Sequence, residues 1–436
     1  IYNDRLKLIA GDFWLRKPKG YFANYTKRAQ GLTFENRWNL SEEKTWKTQI
    51  SGALSRGKFN RQIIQGTEGN QGPYRLIGAD NEPFIIVLSG TEQVFIDGKL
   101  LERGQEFDYT INYNTSEVVF TSRNQITKDS RIVVEFQYSD QNYARSMLQN
   151  STTYSSKNFD FWINAYSEQD AKNQSLQQEL SQSQKNLLST IGDSLILART
   201  SSIDSVGFLD NQVQYLLIDS LGYDSVLVFS VDQNLAVYKA IFQLVGQGNG
   251  DYVLDNFNAL GRVYKWVAPV AGVSEGNYAP SRLLVAPIKQ QMVASGLSYK
   301  INSKWTIENE AALTVHDINT FSREDAQDDK GFSNRFKIVG LQHIGKDSLR
   351  NWQMETKGEV EFLQKYFKPI QQYRAVEFDR DWNTRNQSFE GDQLYITAAE
   401  KFINKKYGFI NVEAQRFAVG QDFEGYKGQL NGKWKQ

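Results

Sequence analysis

Along much of the chain apolar and polar residues alternate with a period of two, the signature of strands whose two faces meet different surroundings. Over 305–315, Trp305, Ile307, Ala311, Leu313 and Val315 share one face, and Thr306, Glu308, Glu310 and Thr314 share the other. Near the start, Leu32, Phe34 and Trp38 line up with Asn36 interrupting, a polar turn spans 40–44, and Trp46, Ile50 and Leu54 return on one face. Further arms pair across short polar turns: 152–154 with 159–166, 296–301 with 305–315, 332–344 with 352–362, and 394–403 with 407–419. Longer connections, such as 317–331 and 364–392, separate these hairpins. Alternating strands of about 9–11 residues, with short turns on one rim and long loops on the other, are the pattern of an up-and-down outer-membrane barrel. A large soluble antiparallel sheet also alternates. In the membrane reading, charged interruptions such as Arg56 and Glu413 face a lumen, a rim or a partner.

Two stretches have a different grammar. Over 66–140, short β-branched and aromatic runs are punctuated by Gly, Asp, Asn and Pro, which predicts a compact antiparallel sandwich. Asp97-Gly98 within it is a good two-residue hairpin turn, because both residues tolerate positive φ. Over 205–290 a second apolar β region has strand candidates at 213–218, 225–231, 236–245, 263–267 and 283–286. Leu176, Leu180, Leu187, Leu188 and Ile191 sit near helical spacing and predict one helix over about 174–191. The expected fold class is mainly β: antiparallel barrel-like hairpins with two inserted sandwich-like domains and one short helix. The boundaries are 1–65 and 141–204 barrel-like, 66–140 and 205–290 inserted, and 291–436 barrel-like again.

Composition narrows the function classes. Fifty Lys+Arg balance fifty Asp+Glu, which argues against nucleic acid as a partner. Without cysteine there are no disulfides or thiolate metal sites, and two histidines leave little for imidazole chemistry. No apolar run approaches the ~20 residues a membrane helix needs. The start at Ile1 reads as processed or trimmed, and the last arm, from Tyr426, stops in mid-pattern.

Candidate chemistry is sparse. The run Gly246 to Gly250 lacks the Walker Lys-Ser/Thr and a following helix, so it reads as a turn. Asp317, Asn319, Glu324, Asp325, Asp328 and Asp329 form an acidic loop that a Ca²⁺ ion would suit, but without EF-hand spacing it reads as a solvated loop. His316 sits at a strand end with no nucleophile motif beside it. Trp14, Tyr21, Phe22 and Tyr25, set among Arg16, Lys17, Lys19, Lys27 and Arg28, suit a barrel rim, or stacking and docking. The expectation is no enzyme activity, no cofactor and no metal.

The stretches GNQGPYRLIGADNEPFIIVLSGTEQVFIDGKLLERGQEFDYTINYNTSEVVFT (69–121) and SRIVVEFQYSDQNYARSM (130–147) resemble a family of long outer-membrane and surface proteins of Bacteroidota bacteria. Gly11-Asp12-Phe13, Ser55 to Phe59, 261–269 and 276–280 also fit it. The resemblance implies a non-enzymatic envelope protein, at the outer membrane or its periplasmic face. Its nearest known role is plug-like, binding a large outer-membrane translocon of type IX secretion and blocking its periplasmic opening. Such docking needs a broad interface with aromatic anchors, for which Trp14, Tyr21 and Tyr25 are the candidates, while Tyr74 belongs to a domain core. The lipid bilayer is a further expected contact. The alternative is an outer-membrane porin or transporter for glycans or other small solutes, with Lys304, Glu308 and Glu310 in its lumen; a polysaccharide-active enzyme is a third.

Overall fold

The computed structural model describes residues 5–434, except 17, 56, 80–84, 140–142, 176–179, 345–351, 386, 388 and 405. Arg56 and the expected turn at 345–348 therefore lie outside the described residues. The alternating segments form one antiparallel sheet of twelve strands. In order across the sheet they are Leu6–Leu15, Lys27–Ser41, Lys44–Ser55, Tyr143–Ser155, Phe159–Ser175, Lys289–Lys300, Trp305–Asp317, Lys330–Ile344, Trp352–Leu363, Gln393–Asn404, Gly408–Val419 and Phe423–Trp434. Each strand pairs with its neighbours in that order, and the first and last are the edges. Every hairpin predicted from the alternation is present, and several arms run longer than expected, as in Tyr143–Ser155 against Phe159–Ser175.

Local chemistry sets the turns. Asn302 Oδ1 accepts from the N–H groups of Lys304 and Trp305, and Asn404 Oδ1 accepts from those of Lys406 and Tyr407. The asparagine side chain thus closes both turns in place of a backbone carbonyl. The tight connections at 42–43, 156–158, 301–304 and 405–407 lie at one end of the sheet; the connections at 16–26, 56–142, 176–288, 318–329 and 364–392 join strands at the other.

The connection after Lys44–Ser55 carries a module of two small sheets. One is ordered Lys58–Gln65, Arg131–Tyr138, Gln93–Ile96, Lys99–Leu100; the other is Tyr74–Arg75, Glu117–Phe120, Tyr109–Asn112. Tyr74, Leu76, Val94, Val118, Ile132 and Phe136 are buried between them, with Tyr74 in the core as expected. The module begins at Lys58 rather than 66, because Lys58–Gln65 pairs along its length with Arg131–Tyr138. That strand belongs to the module, not to the barrel-like segment 1–65.

A second compact unit comprises Leu180–Ala286 with Phe321–Glu324. Its β-strands surround a core of Tyr215, Leu227, Tyr252 and Tyr264. The expected strand at 283–286 is displaced: the strand is Tyr278–Leu283, and Leu284 and Ala286 instead pack with Leu188 of the helix. The helix itself is Gln182–Thr190, starting later than expected. Ser181 caps it, and Gln184 returns a bond to the Ser181 N–H, so the reciprocal cap fixes the first turn there.

Candidate functional site

The two faces of the twelve-stranded sheet are chemically inverted relative to a soluble sheet. One face is bare and apolar. Leu32, Phe34, Ile50, Leu148, Val293, Leu313, Phe336, Val412 and Leu430 are all exposed on it, Leu148 at 64% and Leu313 at 60%. Along the short-turn end of this face run Trp38, Trp46, Tyr154, Tyr299, Trp305, Trp352, Tyr407 and Trp434. Tyr407 stacks on Trp434 with centroids 5.6 Å apart, and Trp305 lies against Gly340, where a Cβ would meet its ring at 2.6 Å. Polar residues on this face partner one another: Asn309 bonds Asn334 at 3.2 Å, and Thr152 bonds Thr48 at 3.3 Å.

The opposite face is polar and charged, and in part covered. Lys27 pairs with Glu168 at 2.8 Å, and Arg145 grips Asp170 through two bonds of 2.6 and 3.0 Å. Arg335 meets Glu359 at 2.7 Å. Glu413, a charge flagged by the sequence, lies on this face in register with Ala399 and Gln429. What covers the face is the chain's own loops. Phe22, Ala23 and Tyr25 of the loop 16–26, and Phe367 and Ile370 of the loop 364–392, join Phe13, Met147, Tyr166, Met292 and Leu363 in one buried cluster.

Two carboxylates hold these loops. Glu310 accepts from the backbone N–H of Tyr21 at 2.7 Å and of Phe22 at 2.9 Å, and from the Trp162 indole at 3.2 Å. Gly20, at φ +134, lets the chain turn onto it. Glu361 is fully buried and accepts from the hydroxyls of Tyr21 (2.7 Å) and Tyr373 (3.0 Å) and from the Arg374 guanidinium. Arg335 stands 4.1 Å from the Tyr21 ring centroid. Burial first, and the Glu361 charge second, push the Tyr21 hydroxyl far above its ordinary value, so it remains a donor. Small residues make the room: Ala294 and Ala312 are buried in the cluster, and Gly331 admits the backbone of Phe367.

The three aromatics expected to anchor a partner part company here. Tyr25 is 1% exposed and its ring packs, tilted, 4.8 Å from that of Tyr166, closed to any partner in this arrangement. Tyr21 is occupied by Glu361 and Tyr373. Trp14 stays 40% exposed on the edge strand Leu6–Leu15. Of the expected lumen residues, Glu308 and Glu310 do lie on the polar face, with Glu308 3.5 Å from Lys337. In the acidic loop, burial and then Asp317, Asp328 and Asp325 raise the Asp329 carboxyl above its ordinary value. The run Gly246 to Gly250 is a turn, with Gly246 and Gly248 at positive φ. The buried roles of Glu310, Glu361 and Arg374 were hidden from sequence. The signal present was small residues (Ala294, Gly296, Ala312, Gly331) recurring on the polar side of the strands.

A family model described as a domain of unknown function, DUF8818, matches residues 59–140, which is the module between Lys44–Ser55 and Tyr143–Ser155. No curated protein matches the chain. Among solved structures it is similar to in-vitro folded OmpT, an outer membrane protein of Vibrio cholerae, at 6% identity and a TM-score of 0.23, covering 98% of this chain and 93% of that one. It is likewise similar to a loop L8 deletion mutant of that OmpT, at 7% identity and a TM-score of 0.24, covering 99% of both chains.

Proposed function

We propose that the twelve-stranded sheet lies in an outer membrane, that its polar side is closed by the chain's own loops, and that the folded parts in its long connections are presented to a protein partner. One observation supports this above all: exposed leucine, isoleucine and phenylalanine cover the bare face, while ion pairs lie buried on the other. In water such a face would be a large aggregation-prone patch; in lipid it is the ordinary exterior of a strand wall, and the tryptophans and tyrosines at one rim suit the headgroup level. Strands of 10 to 17 residues are long enough to cross when tilted.

The role is non-enzymatic. Following the resemblance to Bacteroidota surface proteins, the partner is a large outer-membrane export translocon of the type IX kind, and the chain acts by occupying and blocking its opening. Sidedness bears on this. Outer-membrane strands usually keep short turns in the periplasm and long loops outside, which would set the long connections at the cell surface. Blocking a periplasmic opening requires the reverse orientation. The porin reading is less favoured, because 16–26 and 364–392 occupy part of the polar side where a solute would pass, although a cavity of about 730 Å³ beside Lys47, Gln49 and Gln149 stays open.

Reconstitution into vesicles with bromine-labelled lipids tests the membrane placement. Strong quenching of tryptophan emission by bromines near the headgroups is expected; a protein that stays outside the vesicles and is not quenched refutes it. In a planar bilayer no steady open conductance is expected, and a reproducible open channel would favour transport. Purification from native membranes in mild detergent decides the partner: recovery without a translocon removes the blocking role.

A further inference from the structure

A cavity opens where the DUF8818-matching module meets 16–26 and 364–392, the loops that cover part of the polar face. It measures about 230 Å³, and its wall includes Trp14, Glu92, Glu135, Gln137, Gln371 and Gln372. The side-chain amides of this wall are partly engaged within the protein. The Gln137 side-chain N–H donates to the Thr26 carbonyl at 2.6 Å, Gln371 donates to the same carbonyl at 3.3 Å, and Asn24 donates to the Gln372 carbonyl at 2.5 Å. Gln371 Oε1 in turn accepts from the Thr26 N–H at 2.9 Å. Gln137 is only 3% exposed, lines the cavity, and its Oε1 is buried with no partner among the described residues. A buried acceptor left unmet costs about 1–3 kcal/mol, so such an atom calls for a donor.

Charge points the same way. Two carboxylates, Glu92 and Glu135, line the cavity, and among the described residues no lysine or arginine lines it. Their nearest guanidinium groups lie outside that lining: Arg103 is 3.0 Å from Glu92 Oε1, and Arg61 is 3.6 Å from Glu135. Burial raises the Glu135 carboxyl above its ordinary value in spite of Arg61, so its charge is undercompensated. Trp14 adds an aromatic surface to which a planar cation is attracted.

We infer that this cavity receives the guanidinium of an arginine side chain from a partner polypeptide, with Glu135 and Gln137 Oε1 accepting its N–H groups and Trp14 against its face. A guanidinium carries five donors and no acceptor, which suits two carboxylates and the Gln137 Oε1. The inference rests on the proposed function only in drawing the arginine from a partner; the chemistry of the cavity does not depend on whether the sheet lies in lipid.

The test uses the full chain in detergent and calorimetric titration with Nα-acetyl-arginine methylamide, its lysine counterpart, and its citrulline counterpart, which is neutral and nearly isosteric. Saturable binding of the arginine compound is expected, about tenfold or more tighter than citrulline, with lysine between them. Glu135→Gln should weaken arginine binding about tenfold and Trp14→Ala about threefold or more. No saturable binding up to about 50 mM, or equal binding of arginine and citrulline, overturns the inference on the unaltered chain, whatever the variants do. Tryptophan-sensitised Tb³⁺ emission that Ca²⁺ displaces and the arginine compound does not would overturn it in favour of a metal site. Failure of the lipid-quenching experiment, with arginine binding intact, would remove the membrane placement and leave this site standing.

Discussion

Single residues carry much of the closure of the polar face, and Glu361 carries the most. It is fully buried and serves Tyr21, Tyr373 and Arg374 at once. Replacing it strands a mostly buried guanidinium, and breaking a buried pair from one side costs about 3–5 kcal/mol. Glu361→Ala is therefore expected to lower the unfolding midpoint in detergent sharply and to expose the loop 364–392 to protease, whereas Glu308→Ala, on the same face but half-exposed, should do neither. In the second unit, burial pushes the Tyr215 hydroxyl up to about 12 from an ordinary 10.0. The folded state then holds this proton over a range where the unfolded chain has released it. Its contribution is fully present below about pH 10 and is lost as the pH rises toward about 12. Alkaline unfolding followed by tyrosinate absorbance should show that loss, and Tyr215→Phe should flatten it. That Glu310 faces the polar side could be read from alternation alone. That it binds the backbone of residues nearly three hundred positions earlier could not, because side-chain period reports a face and says nothing of what covers it.

At the scale of elements, the hairpins were legible because a period of two, read between Asn- and Gly-bearing turns, fixes both strand and register. The same reading missed the strand Lys58–Gln65: Phe59, Ile63 and Ile64 break the alternation of the preceding strand, and only the pairing with Arg131–Tyr138 assigns it to the module. The Asp97-Gly98 turn formed as expected, with φ of 52° and 80°. Gly98→Val meets both an unfavourable backbone and the Glu377 side chain, 2.6 Å from a Cβ there. A loss of about 1–2 kcal/mol is expected, read as a lower melting temperature of the module by backbone-amide exchange. On the sheet, Ile50 lies midway along Lys44–Ser55 on the bare face. Ile50→Arg should cost about 2–4 kcal/mol of folding into bilayers, where Arg at the midplane is penalised. Ser51→Ala, one residue away on the covered face, should change insertion far less. Equal effects at the two positions would contradict the assignment of faces.

For the whole molecule, the alternation also foretold that two media meet the sheet; it did not foretell that the polar medium is the protein's own interior. Closure by its own loops predicts a sidedness experiment with a clear sign. If the long connections face outward, protease added to intact cells should cut within 176–288 and spare 301–304; the opposite pattern fits a body that works from the periplasm. One feature of the sheet reaches further. Among the described residues, Leu6–Leu15 and Phe423–Trp434 each pair with a single neighbour. In hydrocarbon a backbone amide or carbonyl without a partner costs several kcal/mol, so a strand margin is poorly tolerated there. A bilayer tolerates such a margin only when another backbone zips onto it, whether the two margins join each other or a foreign strand is taken up. In the membrane placement proposed above, both margins are therefore expected to meet backbone, each other's or another strand's.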